Sequence, residues 1–417
     1  MAPAVALAVL GIGLMAGIAF TTPWHTLDRP PGGPTPVVVS PDFTPAQVDR
    51  EHVFHRRIRP ASYANVAISL GLAALLGLTP LGARLIGALA RPLGGGWVWR
   101  VILGSLVIAV VGRLATLPLS IYGETVLRRY GLSTQDWGGW AVDQLKGLGL
   151  GAGLTTVVLL GFIGVVRAAP RTWWAWTAVG SAALVVTLSF LYPVLVEPVF
   201  NKFTPLPAGE LRTSLLQLAN SDQVPVRDVL VADASRRTTS LNAYVSGFGS
   251  TRRIVVYDTL IRDAPPAEVR LVVAHELGHA KRGDVVYGTL IGALGVAATC
   301  CLAFLLFTGP WLLRRAGVTD LADGRSIALL LAVIAIGGVV TMPVQVLLSR
   351  RIEARADVHS LDLTHDPATF IDSEKRLAVT NLSDLQPNPV VYCLFFTHPT
   401  SPQRIALARD WSKLHAR

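Results

Sequence analysis

The sequence predicts an all-α membrane bundle of about seven transmembrane helices, and three observations lead to this fold class. Hydrophobic residues make up 51% of the 417-residue chain and charged residues 15%, against about 25% charged residues in soluble domains. A soluble core could not bury so much apolar surface, so most of that surface must face lipid. The scarce charges also leave seven apolar runs between them, and about 20 such residues suffice to cross a bilayer.

The seven apolar runs are the candidate spans, and in chain order they are 1–27, 60–83, 101–123, 147–166, 172–196, 285–313 and 326–349. The first run could be a signal peptide, but it lacks the basic residues that precede the apolar part of one, which favours a retained anchor. Arg113 is the one charge deep inside a run. Either it faces the bundle interior or a water-filled cavity, or its helix starts late and places it near an end.

The spans and the polar stretches divide the chain into four parts. These are the first five spans (1–196), a large polar segment (197–284), the last two spans (285–349) and a polar C-terminal segment (350–417). With seven crossings, the loops 21–59, 121–146 and 197–284 and the C-terminal segment share one side of the membrane. The short loops carry eight Lys and Arg residues on each side, so the positive-inside rule does not orient the chain.

The formal net charge of +10 points to the membrane rather than to nucleic acid. Its basic residues are scattered between apolar runs instead of forming a stripe or a tail, so the lipid bilayer is the expected partner. The cysteines Cys300, Cys301 and Cys393 are too few for a disulfide framework, and two of them lie inside an apolar run. We interpret them as inert, and the sequence does not indicate an oligomeric state.

A metal-binding motif lies within the large polar segment. It reads His275-Glu276-Leu-Gly-His279, on a helix whose start is marked by Pro265 and Pro266. Two histidines four residues apart on a helix project from one face and can bind one Zn²⁺ ion. Glu276, beside the first ligand, can take a proton from a water that attacks a carbonyl. One Zn²⁺ per chain is therefore predicted.

A third ligand should come from elsewhere in the chain, and Glu353 is the candidate. The last two spans cross the membrane and return, so Glu353 lies on the same side as His275. Asp357, one turn later, can accept a ring N–H from a ligating histidine. The alternative is an amphipathic helix whose acids merely offset neighbouring arginines. His359 and His365 are predicted to be surface histidines.

Four further features accompany the metal motif, and they are the segments 192–206 and 242–260, the spacing of Glu353 and Asp357, and Thr397-His398-Pro399 followed by Arg404. With the motif, they resemble the Ste24-type integral-membrane zinc metalloproteases, the CAAX prenyl proteases of peptidase family M48, within the wider gluzincin group. The resemblance implies seven helices around a water-filled chamber and a gluzincin-type domain with a small β element. It also implies an N-terminus outside and catalytic segments toward the cytoplasm. The composition is typical of a GC-rich bacterium, so we expect the inner membrane.

The resemblance also implies roles for individual residues. The zinc ligands would be His275, His279 and Glu353, the general base Glu276, and the residues on or beside a substrate-pairing edge strand Asn242, Ala243 and Tyr244. The β-rich run 254–257 fits such an edge, although a plain hairpin strand remains open. His398 and Arg404 would stabilise the oxyanion; alternatively, they form a helix cap and a salt bridge.

These features predict a membrane zinc endopeptidase that acts on peptides or membrane-associated proteins. A quality-control protease of the HtpX type is the first alternative, but that family usually has about four spans. A non-catalytic membrane scaffold would have no need of Glu276, and a transporter would leave the metal motif unexplained. Leu241 and the segment 122–132 depart from the family pattern, which puts the substrate in question. Prenylated peptides are not the expected substrate in a bacterium.

Overall fold

The computed structural model describes residues 1–416 and is mainly helical. In chain order its helices are α1 (Ala2–Thr21), α2 (Pro45–Gly77), α3 (Pro80–Ala90), α4 (Trp97–Arg129), α5 (Trp137–Ala168), α6 (Trp173–Leu195), α7 (Glu197–Phe200), α8 (Glu210–Ser221), α9 (Asp258–Asp263), α10 (Pro266–Arg282), α11 (Asp284–Thr308), α12 (Pro310–Arg315), α13 (Ile327–Thr364), α14 (Pro367–Thr380), α15 (Pro389–Phe395) and α16 (Ser401–His415). The strands are β1 (Phe203–Pro205), β2 (Asp228–Ala232), β3 (Ala243–Ser246) and β4 (Arg253–Tyr257).

The predicted seven membrane helices are confirmed. Within residues 1–416, seven helices are long and apolar enough to span a bilayer, and they are α1, α2, α4, α5, α6, α11 and α13. One predicted boundary is wrong, because the run 60–83 is interrupted after Gly77 and continues as α3. The break lies at Thr79, which has extended backbone angles. Pro80 follows it, and a proline disfavours helical geometry in the residue before it.

Two of the membrane helices extend well beyond their apolar runs. α2 begins at Pro45, fifteen residues before the predicted span starts at position 60. α13 continues past position 349 to Thr364 without a break, so the predicted boundary between the last span and the C-terminal segment falls inside one helix. The charged part of α13 carries Glu353 and Asp357. A continuous helix therefore joins the membrane bundle to the candidate site.

The polar segments that were predicted to share one side of the membrane pack against one another. The Thr35 amide, in the loop between α1 and α2, donates a 2.7 Å hydrogen bond to Asp410 of α16. Ser133, in the loop between α4 and α5, forms an isolated β-bridge with Thr238 of the large polar segment. These contacts fit the alternating path of seven crossings, which brings all four polar segments to one end of the bundle.

Arg113 lies in the middle of a membrane helix. α4 begins at Trp97, sixteen residues earlier, so the alternative of a late-starting helix is wrong. The Arg113 guanidinium donates to the Ser120 hydroxyl at 3.1 Å and lies 5.9 Å from the ring centre of Trp140 on α5. It is half-buried and held against polar and aromatic groups of the bundle, as expected for a charge at membrane depth.

A small four-stranded sheet forms the β element of the polar domain. Its strand order is β1-β2-β4-β3, with β2 and β4 parallel and the other pairs antiparallel. One face packs on α8 and α10 through fully buried side chains, among them Leu215, Val229, Ile254, Val273 and Leu277. β4 includes the predicted β-rich run, and β3 lies at the edge of the sheet.

Candidate metal centre

α10 presents the metal motif, and its ends are defined by local sequence. Pro266 occupies the first turn, as predicted, and Gly283 ends the helix in the left-handed conformation with φ 69°. α10 packs closely against α13 because the motif contains a glycine. A methyl group at Gly278 would lie 3.0 Å from the ring of His359, so a larger residue would push the two helices apart.

The three predicted ligands meet where α10 faces α13. His275 Nε2 and His279 Nε2 are 3.2 Å apart. Glu353 places one carboxylate oxygen 3.1 Å from His275 Nε2 and the other 3.7 Å from His279 Nε2. The potential ligand atoms of His275, His279 and Glu353 all lie within 4.8 Å of one another. The fold therefore brings Glu353 to the two histidines although it is distant from them in sequence.

This arrangement fits a zinc ion. Ligand atoms at about 2.0–2.1 Å from Zn²⁺ in a tetrahedron lie about 3.3 Å from one another, close to the 3.1–3.7 Å observed. Two imidazoles and one carboxylate form a donor set typical of catalytic zinc, in which the fourth position stays open.

Each of the two motif histidines donates its Nδ1–H to a carboxylate. His275 Nδ1 donates to Asp357 at 2.9 Å, and His279 Nδ1 donates to Asp284 at 2.8 Å. These bonds put the ring proton on Nδ1 and leave Nε2 free to bind a metal. The sequence predicts the Asp357 contact but not the Asp284 contact. Asp284 follows the left-handed turn at Gly283, which returns the chain toward His279.

Arg404 lies beside Nδ1 of His275, whereas Glu353 lies beside Nε2 of the same ring. Its Nε donates to Asp357 at 2.8 Å, and its Nη1 pairs with Glu374 at 2.7 Å. Asp357 and Glu374 are both buried. Burial alone would lower the pKa of Arg404, but these two carboxylates raise it above the usual arginine value. Arg404 therefore holds Asp357 in place, and Glu374, which sequence reasoning missed, completes this buried charge chain.

Glu276 and His398 line a cavity that opens beside the metal centre. The cavity measures about 740 Å³ and is lined by α2, α10, α14, α15 and the start of α16, where Arg404 also reaches it. Burial raises the pKa of Glu276 above the usual value of a glutamate, against the attraction of the two histidines. His398 Nε2 lies 3.3 Å from a Glu353 oxygen, and its side chain is 58% exposed. Both groups can reach a molecule bound in the cavity.

The predicted substrate-pairing residues lie on the edge of the sheet. Ala243 and Tyr244 begin β3, and Asn242 immediately precedes it and lines the same cavity as His275. The Tyr244 hydroxyl donates to Glu197 at 3.3 Å. β4 covers one edge of β3, and no strand of residues 1–416 covers the other. The free edge leaves room for an added strand.

The prediction for His359 is wrong, whereas His365 is exposed as predicted. The His359 side chain is only 13% exposed, and its Nε2 donates to the buried Asp222 at 2.9 Å. Lys281, next to the metal motif, also binds Asp222, at 2.6 Å. His359 therefore links α13 to the C-terminal end of α8. Its partner lies 137 residues away, so no local pattern indicated the contact.

Comparisons with known proteins place these features in context. The profile of peptidase family M48 matches residues 205–412, and a profile described as the CAAX prenyl protease N-terminal region, five membrane helices, matches residues 43–202. The chain is 30% identical over 305 residues to the Uncharacterized metalloprotease YhfN of Bacillus subtilis, covering 72% of this chain and 71% of that protein. It is 32% identical over 310 residues to the CAAX prenyl protease 1 homolog of Arabidopsis thaliana, covering 70% and 69%.

The similarity extends to yeast proteins. CAAX prenyl protease 1 of Saccharomyces cerevisiae is 28% identical over 316 residues, covering 70% of this chain and 68% of that protein. The crystal structure of S. mikatae Ste24p superposes with a TM-score of 0.79 at 21% identity, over 97% of this chain and 98% of that one. The superposition confirms the predicted chamber-forming bundle of seven helices with a small sheet.

Proposed function

Because the chain belongs to peptidase family M48 and is a Ste24-type membrane metalloprotease, we propose that it is a zinc endopeptidase that acts on peptides or membrane-associated proteins. The observation that carries the proposal is the convergence of His275, His279 and Glu353, whose facing donor atoms are 3.1–3.7 Å apart. These residues would hold one Zn²⁺ ion. Bound Zn²⁺ would polarise the scissile carbonyl and acidify the attacking water.

The side chains around the proposed ligands transfer the proton and orient His275. Glu276 accepts the proton of the attacking water and returns it to the leaving amine. Glu276 lines the same cavity as His275 and His398, so its carboxylate can reach both the water and the leaving amine. Asp357 fixes the Nδ1 proton of His275, and Arg404 with Glu374 holds Asp357 in place. Glu276 thus transfers the proton, while the buried charged side chains orient His275.

His398 is the better candidate for stabilising the oxyanion. Its imidazole is 58% exposed beside the metal centre, whereas the Arg404 side chain is 15% exposed and is engaged by two carboxylates. A group must face the substrate to donate to a developing negative charge. We therefore assign the donor role to His398 and a supporting role to Arg404.

The number of helices favours a Ste24-type enzyme over a quality-control protease of the HtpX type. The chain has seven candidate spans, whereas HtpX proteases usually have about four. The five-helix N-terminal profile also matches residues 43–202. Names of relatives refer to prenyl proteases. Bacteria generally lack prenylated proteins, so the proposed substrates here are peptides and membrane-associated proteins.

The free edge of β3 is proposed to bind the substrate backbone. Tyr257 donates its amide to Asn242, and the register pairs Ala243 with Val256. Antiparallel pairs alternate between bonded and non-bonded positions, so the Val245 amide points away from β4. A substrate strand can accept a hydrogen bond there.

Val245→Pro is expected to lower kcat/KM about 3- to 10-fold, the cost of one lost hydrogen bond. The sheet should stay intact, because an outward amide on an edge strand is not needed for its pairing. Val245→Ala, which keeps the amide, is the control and should cleave a model peptide at a nearly normal rate. Equal losses in both variants would argue against backbone recognition by this edge.

We also propose that the catalytic segments face the cytoplasm of a bacterial inner membrane. The charge balance of the short loops gives no orientation, so this proposal is supported by the family resemblance. The contacts of the α1–α2 loop with α16 and of the α4–α5 loop with the segment 197–284 require only that these segments lie on one side.

Vesicles of known sidedness test function and orientation together. Sealed inside-out vesicles are expected to cleave an added membrane-impermeant peptide, and right-side-out vesicles to leave it intact. A zinc chelator should remove the activity and added Zn²⁺ should restore it. Cleavage that resists chelation would contradict the zinc mechanism, whereas cleavage only by right-side-out vesicles would reverse the orientation alone.

A further inference from the structure

Arg350 connects the metal-binding helix to the segment that carries His398. It lies on α13, three residues before Glu353, which is about one helical turn. Its Nη1 donates to the carbonyl of Tyr392 at 2.8 Å and to the carbonyl of Phe396 at 2.7 Å. Tyr392 lies in the last turn of α15, where helix carbonyls lack intrahelical partners, and Phe396 immediately follows the helix. A cation is favoured at this position.

The same guanidinium also packs on an aromatic ring. Its carbon lies 4.3 Å from the ring centre of Tyr392. The Tyr392 hydroxyl donates to the Gln403 side chain at 2.8 Å, and the same oxygen accepts the Thr400 amide at 2.8 Å. Thr400 is the N-cap of α16. Arg350 therefore holds the end of α15 directly and contacts the start of α16 through Tyr392.

Only three residues separate these two fixed points, and they are Thr397, His398 and Pro399. Phe396 is held at one end by Arg350, and Thr400 is held at the other by its capping box. Within this short loop, His398 Nε2 reaches to 3.3 Å from Glu353. One rigid helix thus carries both a metal ligand and the clamp on the loop that delivers His398.

We propose that Arg350 is a positioning residue that sets the place of His398 relative to the metal centre. The inference rests on the proposed role of His398 in the reaction. If Arg350 only stabilised the fold, its replacement would affect the whole site and not His398 in particular. A role in binding lipid headgroups would not require contacts to the backbone carbonyls of Tyr392 and Phe396.

The neighbouring Arg351 provides a matched control, because it lies on the same helix but is exposed. Arg350→Met keeps the apolar stem and removes the donors and the charge. It is expected to lower kcat about 10-fold with little change in KM, since a misplaced catalytic group costs rate more than binding. Zinc content should stay that of the unaltered protein. Arg351→Met should retain the full rate.

A double-mutant cycle separates positioning from stability. His398→Ala alone is expected to lower kcat about 100-fold, the scale of one lost oxyanion donor. If Arg350 acts through His398, adding Arg350→Met to His398→Ala should lower kcat less than about 2-fold further. A further loss equal to that of the single Arg350→Met variant would overturn the inference. A fully active His398→Ala variant would instead overturn the proposed role of His398.

Amide hydrogen exchange supplies a readout that does not depend on activity. In the zinc-loaded protein, residues 389–400 are expected to exchange faster in Arg350→Met than in the unaltered protein, with α10 unchanged. Arg350→Lys, which keeps a cation without the planar stack, should fall between the two. Exchange in 389–400 that matches the Arg351→Met control would show that Arg350 does not hold this segment, and would overturn the proposal.

Discussion

Replacing Glu276 by glutamine is expected to lower kcat for peptide cleavage by about 10²- to 10⁴-fold while leaving zinc bound. Glutamine has nearly the same size and keeps the helix, but it cannot accept the proton of the attacking water. Glu276 lies beside the proposed ligand His275 without being one of the three converging donors. The loss should therefore appear in the rate of the reaction and not in the metal content.

The measurement combines single-turnover cleavage of a peptide with metal analysis of the same preparation. Glu210→Gln is a suitable control, because Glu210 is an exposed glutamate in the first turn of α8, within the same polar domain. Its kcat and zinc content should equal those of the unaltered protein. Substantial cleavage by the Glu276→Gln variant would require a different general base. The variant should also retain bound substrate, which allows the physiological substrates to be captured and identified.

The membrane bundle could be predicted from the sequence because charges are costly in lipid and therefore mark the limits of each span. The same rule fails where a helix leaves the membrane. α13 continues to Thr364 although its charges begin at Arg350, because tertiary contacts stabilise its polar part, among them those of Asp357 with His275 and Arg404. At Thr79 the opposite occurs, and an apolar run is divided by a proline.

Part of the candidate site could likewise be predicted, because helical spacing places His275 and His279 on one face. The partners that hold them are less accessible to sequence reasoning. Asp284 reaches His279 only because Gly283 adopts a left-handed turn, and Glu374 meets Arg404 across two different helices. Such contacts depend on tertiary packing, and neither carboxylate belongs to a recognisable motif.

Replacing Glu353 by alanine is expected to weaken zinc binding by more than about 100-fold, beyond the effect usual for residues that only support a ligand. The change removes the one anionic donor among the three converging side chains and leaves two neutral imidazoles. Those two histidines lie on a single helical turn and offer only half of a tetrahedral shell. Chelator competition measures the affinity, and elemental analysis measures the occupancy.

A stability measurement separates loss of the ligand from damage to the fold. A ligand that binds only the folded protein raises its stability in proportion to the logarithm of its concentration relative to Kd. Added Zn²⁺ should therefore raise the unfolding temperature of the unaltered protein and of the control Arg351→Ala, but not of Glu353→Ala. The metal-free forms should unfold alike. If Glu353→Ala kept full occupancy and affinity, Glu353 would leave the ligand set.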